Sequence, residues 1–350
     1  MFLKRISLYN FRNVTEAEFY INPSLTVIIG ENAKGKTNLL EAVYFLINGF
    51  GFRETKEEEL INFDKNQAYV DGEIEDDKKN KMVFRIHLQK KQNLIEKIYF
   101  INKTIKKHHQ YLSEQTKAVL FSPDQIEIIT GSPDKRRSYF NSQISSHDYE
   151  YRKKLLNYEN ALRKRNKIFA FIKNESELRN ELLFWNEYLE EQATYITAKR
   201  AEYVKFLNNH RNIDNRQFYI EYLKNELTGK KLEENFLEEK RLKKTLIGPQ
   251  KDDFCFYQQE KGFGKNLHHY GSRSEQRLAV FWLKINEINY SEDRYQRKPI
   301  LLLDDVFSEL DAKNRQVIIE LVKKYQTIIT TAESEITGLG KMDKQYINLE

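Results

Sequence analysis

The sequence of 350 residues contains a single cysteine, Cys255. One cysteine excludes an intramolecular disulfide and any metal site built from several thiolates. We therefore expect a protein that works in a reducing compartment.

Long apolar stretches are also missing. No uninterrupted apolar run reaches about 18 residues, the length needed for a helix that spans a bilayer. The first residues, Met1–Leu8, lack the apolar core of a signal peptide. These absences predict a cytoplasmic protein that does not enter a membrane.

Proline is scarce, with five residues, while hydrophobic residues make up 40% of the chain and charged residues 31%. This balance excludes disordered, collagen-like and low-complexity proteins and indicates a helix-rich globular fold of one large or two modest domains. Lysine and arginine number 58 against 52 aspartate and glutamate, giving a formal charge of +6. A basic balance suits a polyanionic partner, although an ordinary, mildly basic cytosolic protein has the same charge.

Glycine is also scarce, with 13 residues, but two glycines frame the segment 30–38. This segment matches the phosphate-binding pattern G-x-x-x-x-G-K-[ST] in full. With so little glycine, a chance match anywhere in the chain has odds below about one in a hundred. The β-rich stretch Leu25–Ile29 precedes the loop and helical periodicity over Thr37–Leu46 follows it, which is the context that the motif requires.

This loop predicts a site for the phosphates of ATP. Gly30 and Gly35 allow successive N–H groups to face inward, and Lys36 would reach the β- and γ-phosphates. The Thr37 hydroxyl would ligate Mg²⁺. The ATP-binding residues predicted here are Gly30, Glu31, Asn32, Ala33, Lys34, Gly35, Lys36, Thr37 and Asn38.

A second β-like stretch, Pro299–Asp305, consists of an apolar run that ends in two adjacent carboxylates. A Mg²⁺-nucleotide site needs a carboxylate at the C-terminal end of a buried strand, so Asp304 is the predicted metal ligand. Asp305 would lie on the other side of the strand end and orient or deprotonate the attacking water. We predict Asp305 and Lys36 as catalytic. The alternative for the two carboxylates is a plain acidic turn after a core strand.

Between these strand-rich parts, apolar residues over about 148–210 recur at spacings of three and four, or their sum. Two consecutive amphipathic helices are predicted, forming a hairpin inserted between the halves of one α/β domain. The first helix is basic and the start of the second is acidic. Mutual surface salt bridges are favoured over nucleic acid binding for this pattern.

Residues 68–105 alternate between polar and apolar and predict an antiparallel sheet. Lysines in and beside this sheet could contact a phosphate backbone, and solvated hairpin tips are an equally supported interpretation. The DNA-binding candidates are Lys90, Lys91, Lys103, Lys106 and Lys107.

Seven motifs occur in a fixed order along the chain. They are Asn10–Asn13, the loop 30–38, Phe121–Asp124, Gly131–Pro133 with Arg136 and Arg137, Gly248–Pro249 with Asp252 and Asp253, Gly271–Ser272 with Gln276 and Arg277, and Leu302–Asp311. Together they resemble the RecF family of DNA repair ATPases, whose heads are related to those of ABC and SMC proteins. The resemblance spans nearly the whole chain, and seven ordered matches are far more specific than any one of them.

The resemblance implies an α/β fold: an ABC-type P-loop ATPase head, with a mixed sheet and an antiparallel β part, that carries an inserted α-helical hairpin arm. Residues 1–147 would form the N-terminal part of the head with the Walker A loop, and residues 148–240 the arm. Residues 241–350 would complete the head with the signature motif, Walker B and the D-loop.

The resemblance also implies residues that meet ATP outside the loop. Arg12 is an ATP-binding candidate, and the D-loop contributes Ser308 and Asp311. The signature that one subunit presents in trans to the nucleotide of its partner comprises Ser272, Arg273, Ser274 and Glu275. The family pattern here is Ser-x-Gly-Gln, so a serine replaces the glycine that lets the backbone approach phosphate, and a carboxylate is added beside an anion.

The function implied by the resemblance is a weak DNA-dependent ATPase of recombination, repair, replication and the SOS response. An ATP-driven, head-to-tail homodimer would bind double-stranded and single-stranded DNA near single-strand gaps. With mediator proteins of the RecR and RecO type it would help to load the strand-exchange recombinase, and hydrolysis would be slow. ATP and Mg²⁺ are the implied cofactors, in a cytoplasmic, nucleoid-associated protein. The alternative is an ATPase-fold interaction scaffold with a degenerate signature and little or no hydrolysis.

Overall fold

The computed structural model describes residues 1–31, 34–53, 56–92, 94–213, 215–260, 262–309, 312–331 and 343–349, with the backbone alone at 308–309 and 312–314. Two compact units make up the chain. The first combines Met1–Gln125 with Glu287–Glu350, and the second is Ile126–Asn286.

The described residues form both strands and helices. The strands are β1 (Phe2–Phe11), β2 (Val14–Tyr20), β3 (Leu25–Gly30), β4 (Gln67–Glu75), β5 (Lys81–Lys91), β6 (Leu94–Ile101), β7 (Thr104–Lys106), β8 (Ala118–Phe121), β9 (Asn212–Ile213), β10 (Arg216–Leu223), β11 (Asp253–Glu260), β12 (Phe263–Asn266), β13 (Ile300–Asp304), β14 (Thr327–Thr331) and β15 (Lys344–Leu349). The helices are α1 (Lys36–Asn48), α2 (His108–Ser113), α3 (Glu127–Thr130), α4 (Pro133–His147), α5 (Tyr149–Phe171), α6 (Glu175–Asn209), α7 (Gly229–Leu242), α8 (Leu267–Tyr270), α9 (Arg273–Tyr295) and α10 (Ala312–Val322). None of the helices within the described ranges is long and apolar enough to cross a membrane.

A five-stranded parallel sheet forms one part of the first unit, in the order β15-β3-β14-β13-β8. Every residue of β13 and β14 is buried. Continuous burial favours apolar side chains on both faces of a strand, which explains the unbroken apolar run before Asp304 in β13. Because the strands are parallel, the C-terminal ends of β3, β13 and β14 lie at the same edge of the sheet.

A six-stranded antiparallel sheet, in the order β2-β1-β4-β5-β6-β7, forms the other part of the first unit. Its inward side chains, such as Val70 and Ile86, pack with the apolar side chains of α1 in one core. The predicted α/β head with an antiparallel β part is therefore confirmed. The parallel and antiparallel strands of the described residues belong to separate sheets and do not mix within one sheet.

The helical hairpin of the second unit consists of α5 and α6, joined by residues 172–174. Both helices begin at a capping side chain: Asp148 accepts from the Tyr151 N–H at 2.8 Å, and Asn174 accepts from the Glu177 N–H at 3.0 Å. An ion pair of the kind expected from the charge pattern joins the helices, with Lys154 Nζ 2.6 Å from a Glu191 carboxylate oxygen.

The range 148–240 contains more than the two predicted helices. Strands β9 and β10 lie inside it, and β10 pairs with β11, which lies outside it. The compact unit also includes α4, which precedes residue 148. The β10–β11 pairs join residues 30 to 40 positions apart in sequence, from Leu223 with Asp253 to Phe218 with Gln258, which local periodicity does not encode. The functional division at residues 147 and 240 stays a prediction.

Residues of two motifs of the second unit, Arg136 with Asp253 and Asp252 with Arg200, form ion pairs. Arg200 and Asp252 are buried and form an ion pair with Nη1 2.5 Å from Oδ2, and Arg200 Nη2 donates to Asn141 at 2.9 Å. Arg136 binds both carboxylate oxygens of Asp253, at 2.6 and 2.9 Å. Buried charges are stable only when they are paired and hydrogen-bonded, and here each charge has its partner.

A buried lysine in the first unit has a different environment. Lys117, just before β8, is 4% exposed, and its ammonium lies 5.1 Å from the centre of the Tyr295 ring. No carboxylate among the described residues forms an ion pair with it. Burial lowers the pKa of Lys117 from 10.5 to about 8.

We predict that Lys117→Met raises the free energy of unfolding at pH 7 by about 2 kcal/mol, because the folded state no longer holds a buried charge. The folded pKa lies below the unfolded value, so the unfolded chain binds the proton more tightly. The stability of the unmodified protein should therefore rise between pH 8 and 10.5. Urea unfolding across this range checks the prediction, with exposed Lys65→Met as the control. A Lys117→Met protein that is less stable at pH 7 would contradict it.

Candidate functional site

The glycine loop lies between β3 and α1, as the motif requires. Gly35 has a φ of 94°, a left-handed conformation that favours glycine. At Gly30, a Cβ atom would lie 2.8 Å from the backbone oxygen of Leu349, so the chain needs glycine there as well. Asn32 and Ala33 lie outside the described residues.

The Lys36 ammonium is held against this loop. Its Nζ donates to the backbone oxygen of Gly30 at 2.6 Å and to that of Glu31 at 3.2 Å. The side chain is largely buried, with 7% of the residue exposed. A cation fixed beside the backbone of a phosphate-binding loop can bind phosphate oxygens.

The structure brings together Thr37 and Asp304, which are 267 positions apart in sequence. The Thr37 hydroxyl donates to Asp304 Oδ1 at 3.1 Å, and the Thr330 hydroxyl donates to the same oxygen at 2.8 Å. Burial raises the pKa of Asp304, the hydrogen bonds from the two threonines oppose this shift, and the nearby Asp305 carboxylate adds to it.

These oxygens fit a Mg²⁺ ion. Mg²⁺ prefers oxygen ligands and commonly takes one or two protein groups together with phosphate oxygens. The Thr37 hydroxyl and the Asp304 carboxylate would hold it, and the bound ion would offset phosphate charge. A cation beside Asp304 would also favour the ionised form of this buried carboxylate.

Asp305 faces the loop from the end of β13. Its backbone has a φ of 48°, and its N–H donates to the Thr330 hydroxyl at 3.0 Å. Aspartate tolerates the left-handed region better than most residues. The turn places Asp305 on the wall of the cavity that Lys36 and Thr37 also line. The two adjacent carboxylates therefore have different surroundings.

That cavity has a volume of about 250 Å³. It is lined by Glu31, Gly35, Lys36, Thr37, Asn38, Arg53 and Asp305. Arg53 was not among the residues predicted from sequence. It follows α1, and its guanidinium donates to the Asn38 side chain. It adds a second cation to the cavity wall.

A buried carboxylate fixes Arg53. Glu41, on α1, is fully buried and accepts hydrogen bonds from Arg53 Nη2 at 2.7 Å and from Arg12 at 2.9 and 3.0 Å. Burial opposes ionisation of Glu41, but the two guanidinium groups outweigh it and lower its pKa. In the sequence, Glu41 is the one charged residue between Thr37 and Asn48, a signal that could have identified it. The role of Arg12 in ATP binding stays a prediction.

The predicted signature lies at the start of α9 in the second unit. The Ser272 N–H donates to Glu275 Oε2 at 2.7 Å, and the Glu275 N–H donates to Ser272 Oγ at 3.3 Å. This reciprocal pair is a capping box. Ser272, Arg273 and Ser274 are exposed.

The lysine candidates do not form one cluster. Lys90 and Lys91 lie at the β5–β6 turn, whereas Lys103 lies at the β6–β7 turn. The pairing of Phe84 with Ile101 places these turns at opposite ends of the sheet, about 20 Å apart. Lys106 and Lys107 lie at the end of β7, an edge strand, with Lys106 paired to Tyr99.

The D-loop candidates are not placed by the structure. The Ser308 side chain and the whole of Asp311 lie outside the described residues.

A glycine loop between a strand and a helix, with a carboxylate ending a neighbouring parallel strand, defines a P-loop nucleotide-binding head. The family model for the RecF/RecN/SMC N-terminal domain matches residues 2–346. The chain is 31% identical to DNA replication and repair protein RecF of Natranaerobius thermophilus, covering 96% of this chain and 92% of that protein. It is 32% identical to the RecF protein of Caldanaerobacter subterraneus, over 97% and 96%. The chain belongs to the RecF family.

Solved structures agree with this assignment. The recombination mediator protein RecF-ATPrS in the RecFOR pathway superposes with a TM-score of 0.86 and 29% identity, covering 99% of this chain and 96% of that one. The RecF-ATP structure gives 0.82 and 30% identity, over 95% and 92%. An Smc head domain from Pyrococcus furiosus, 15% identical with a TM-score of 0.52 over 100% and 94% of the two chains, shares the fold. The chain therefore has the ABC/SMC-type ATPase head fold of the RecF family.

We predict that Glu41→Gln lowers the free energy of unfolding by about 2 kcal/mol at pH 7, because the guanidinium groups of Arg12 and Arg53 lose a fully buried counter-charge. The folded pKa of Glu41 lies below its ordinary value of 4.5, so its contribution is complete above that pH and is lost as the pH falls further. Urea unfolding at pH 7 and pH 4 measures both effects. Exposed Glu16→Gln is the control, and equal stability of the Glu41 variant and the unmodified protein would contradict the prediction.

Proposed function

We propose that this chain is an ATP-dependent DNA-binding protein of recombinational repair and replication, and that ATP binds at the glycine loop. The contact between Thr37 and Asp304 carries the proposal, because it joins the phosphate loop to a strand-end carboxylate. The names of the relatives and the ATP in a similar solved structure support it.

The cavity residues have complementary tasks in this proposal. Lys36 and the N–H groups of the loop bind the β- and γ-phosphates. Arg53, which follows the C-terminal end of α1 in sequence, adds positive charge to the cavity wall. Asp305 orients the attacking water. Hydrolysis is slow because Asp305 is one methylene shorter than the glutamate that usually positions this water in ABC-type heads.

A second copy of the chain completes the site. Ser272, Arg273, Ser274 and Glu275 of that copy meet the nucleotide, and the D-loop residues Ser308 and Asp311 contribute at the same interface. The exposure of residues 272–274 supports this arrangement, since a surface that meets another chain must be accessible. ATP then holds a head-to-tail homodimer together, and hydrolysis opens it.

Double-stranded and single-stranded DNA near gaps are the proposed partners of the dimer, together with mediator proteins of the RecR and RecO type. The RecFOR pathway of the similar solved structures and the formal charge of +6 support this choice. DNA stimulates the weak ATPase. The protein acts in the cytoplasm, at the nucleoid.

The second candidate is an interaction scaffold with the ATPase fold and little or no hydrolysis. Ser274 and Glu275 favour it, because they replace the glycine and glutamine of the family signature. A scaffold of this kind binds ATP without turning it over.

We predict that Lys36→Ala loses at least about tenfold in ATP affinity, since the ammonium that meets the phosphates is gone. The variant should also lose the ATP-dependent gain in DNA affinity. Fluorescence anisotropy with a labelled gapped duplex, with and without ATP, measures this gain, and Lys65→Ala is the control. If Lys36→Ala binds DNA as tightly as the unmodified protein in the presence of ATP, the proposal that ATP drives DNA binding is wrong.

For Asp305→Asn we predict normal ATP binding, loss of turnover and a dimer that persists in ATP, because the water is no longer activated while the loop is intact. Light scattering after ATP addition follows the dimer with time. Asp304→Asn is the matched comparison, since loss of the predicted metal ligand should weaken the dimer. Turnover at the normal rate in Asp305→Asn would remove this residue from the mechanism.

A further inference from the structure

A lysine outside the seven motifs contacts the predicted signature. Lys265 lies on β12, where it pairs with Gln258 of β11. Its Nζ lies 2.9 Å from Glu275 Oε1 and 3.0 Å from Glu275 Oε2. Glu260, at 3.6 Å, is a second and more distant carboxylate beside the same ammonium. Lys265 therefore sits between two carboxylates and binds that of Glu275 more closely.

Glu275 is held from two directions. Lys265 binds both of its oxygens, and the Ser272 N–H donates to one of them at 2.7 Å. Its side chain is 16% exposed. Burial opposes ionisation of Glu275, but the hydrogen bonds from Lys265 and Ser272 prevail and lower its pKa. A fixed negative charge therefore lies next to the Ser272 backbone.

This charge has a cost if a phosphate group approaches Ser272. Two like unit charges about 6 Å apart weaken an association roughly threefold in a water-like dielectric and by more at a desolvated interface. The Lys265 ammonium lies 2.9 Å from Glu275 Oε1, well inside this distance, and it offsets the repulsion. Glutamate in place of the usual glutamine is thus accompanied by a cation that neutralises it.

We propose that Lys265 is a positioning residue of the surface that meets the ATP of a second copy, and that it acts by neutralising and orienting Glu275. The inference rests on the proposed function, because it concerns the same composite site. It assigns to that site a residue that lies seven positions before Ser272, on a different element.

The test compares the ATP-dependent dimerisation constant of five proteins by sedimentation over a range of concentrations. Glu275→Gln keeps the shape and a capping side chain but removes the negative charge, so it should tighten the dimer about three- to tenfold. Lys265→Met leaves the carboxylate uncompensated and should weaken the dimer by a similar factor. Lys265→Arg should preserve the constant, and the double variant Lys265→Met with Glu275→Gln should return close to it.

Matched controls come from an ion pair in the helical hairpin. Lys154→Met and Glu191→Gln remove the same charges from a pair of similar length, and should leave the constant unchanged. Thermal unfolding of each protein reports the structural part of the Lys265–Glu275 pair. A purely structural pair would make both single variants weaken the dimer.

The inference is overturned if Lys265→Met and Glu275→Gln shift the constant in the same direction or leave it unchanged. Failure of the proposed function looks different: the unmodified protein stays monomeric with ATP. A dimer that forms only in Glu275→Gln would support the inference and overturn ATP-driven dimerisation of the unmodified chain. No dimer in any of the five proteins would overturn both.

Discussion

The buried carboxylate of Asp304 is the interaction on which the nucleotide site depends. It accepts hydrogen bonds from Thr37 at the start of α1 and from Thr330 at the end of β14, and so joins α1 and β14 to the end of β13 at one edge of the parallel sheet. A buried carboxylate without such donors would cost several kcal/mol. Thr330 also accepts from the Asp305 N–H, so the same contacts that stabilise Asp304 orient the proposed catalytic residue.

Charge explains why this edge of the sheet is suited to a phosphate group with a metal ion. Lys36 and Arg53 provide cations on the cavity wall, while Glu31 and Asp305 provide carboxylates on the same wall, with Asp304 behind them. The two cations would attract phosphate, but the carboxylates on the same wall would repel it. The two sets are compatible when a divalent cation lies between carboxylate and phosphate.

Local patterns in the sequence were enough to predict the main parts of the nucleotide site and the helical hairpin. The glycine loop, the strand-end carboxylates and the helical hairpin each depend on residues within one turn, strand or helix. The ion pairs between Glu41 and Arg53 and between Lys265 and Glu275, and the hydrogen bond from Thr330 to Asp304, each join side chains of separate segments and depend on how those segments pack. No periodicity encodes such pairs.

Proximity in sequence was misleading for the lysines. Lys91 and Lys103 are 12 positions apart, but a complete strand runs between them and places them at opposite ends of a sheet. In the signature, the sequence suggests an unfavourable charge that the structure shows to be paired. Glu275 is a departure from the family motif in sequence, and the structure supplies its counter-charge from β12.

In the proposed dimer, we claim that each chain carries half of an ATP site. The decisive measurement is the rate of ATP hydrolysis as a function of protein concentration. A site shared by two copies predicts a rate that rises with the square of protein concentration at low concentration and becomes linear once dimers dominate. A rate proportional to concentration from the outset, at concentrations where the protein is monomeric, would show that one chain holds a complete site and would contradict the claim.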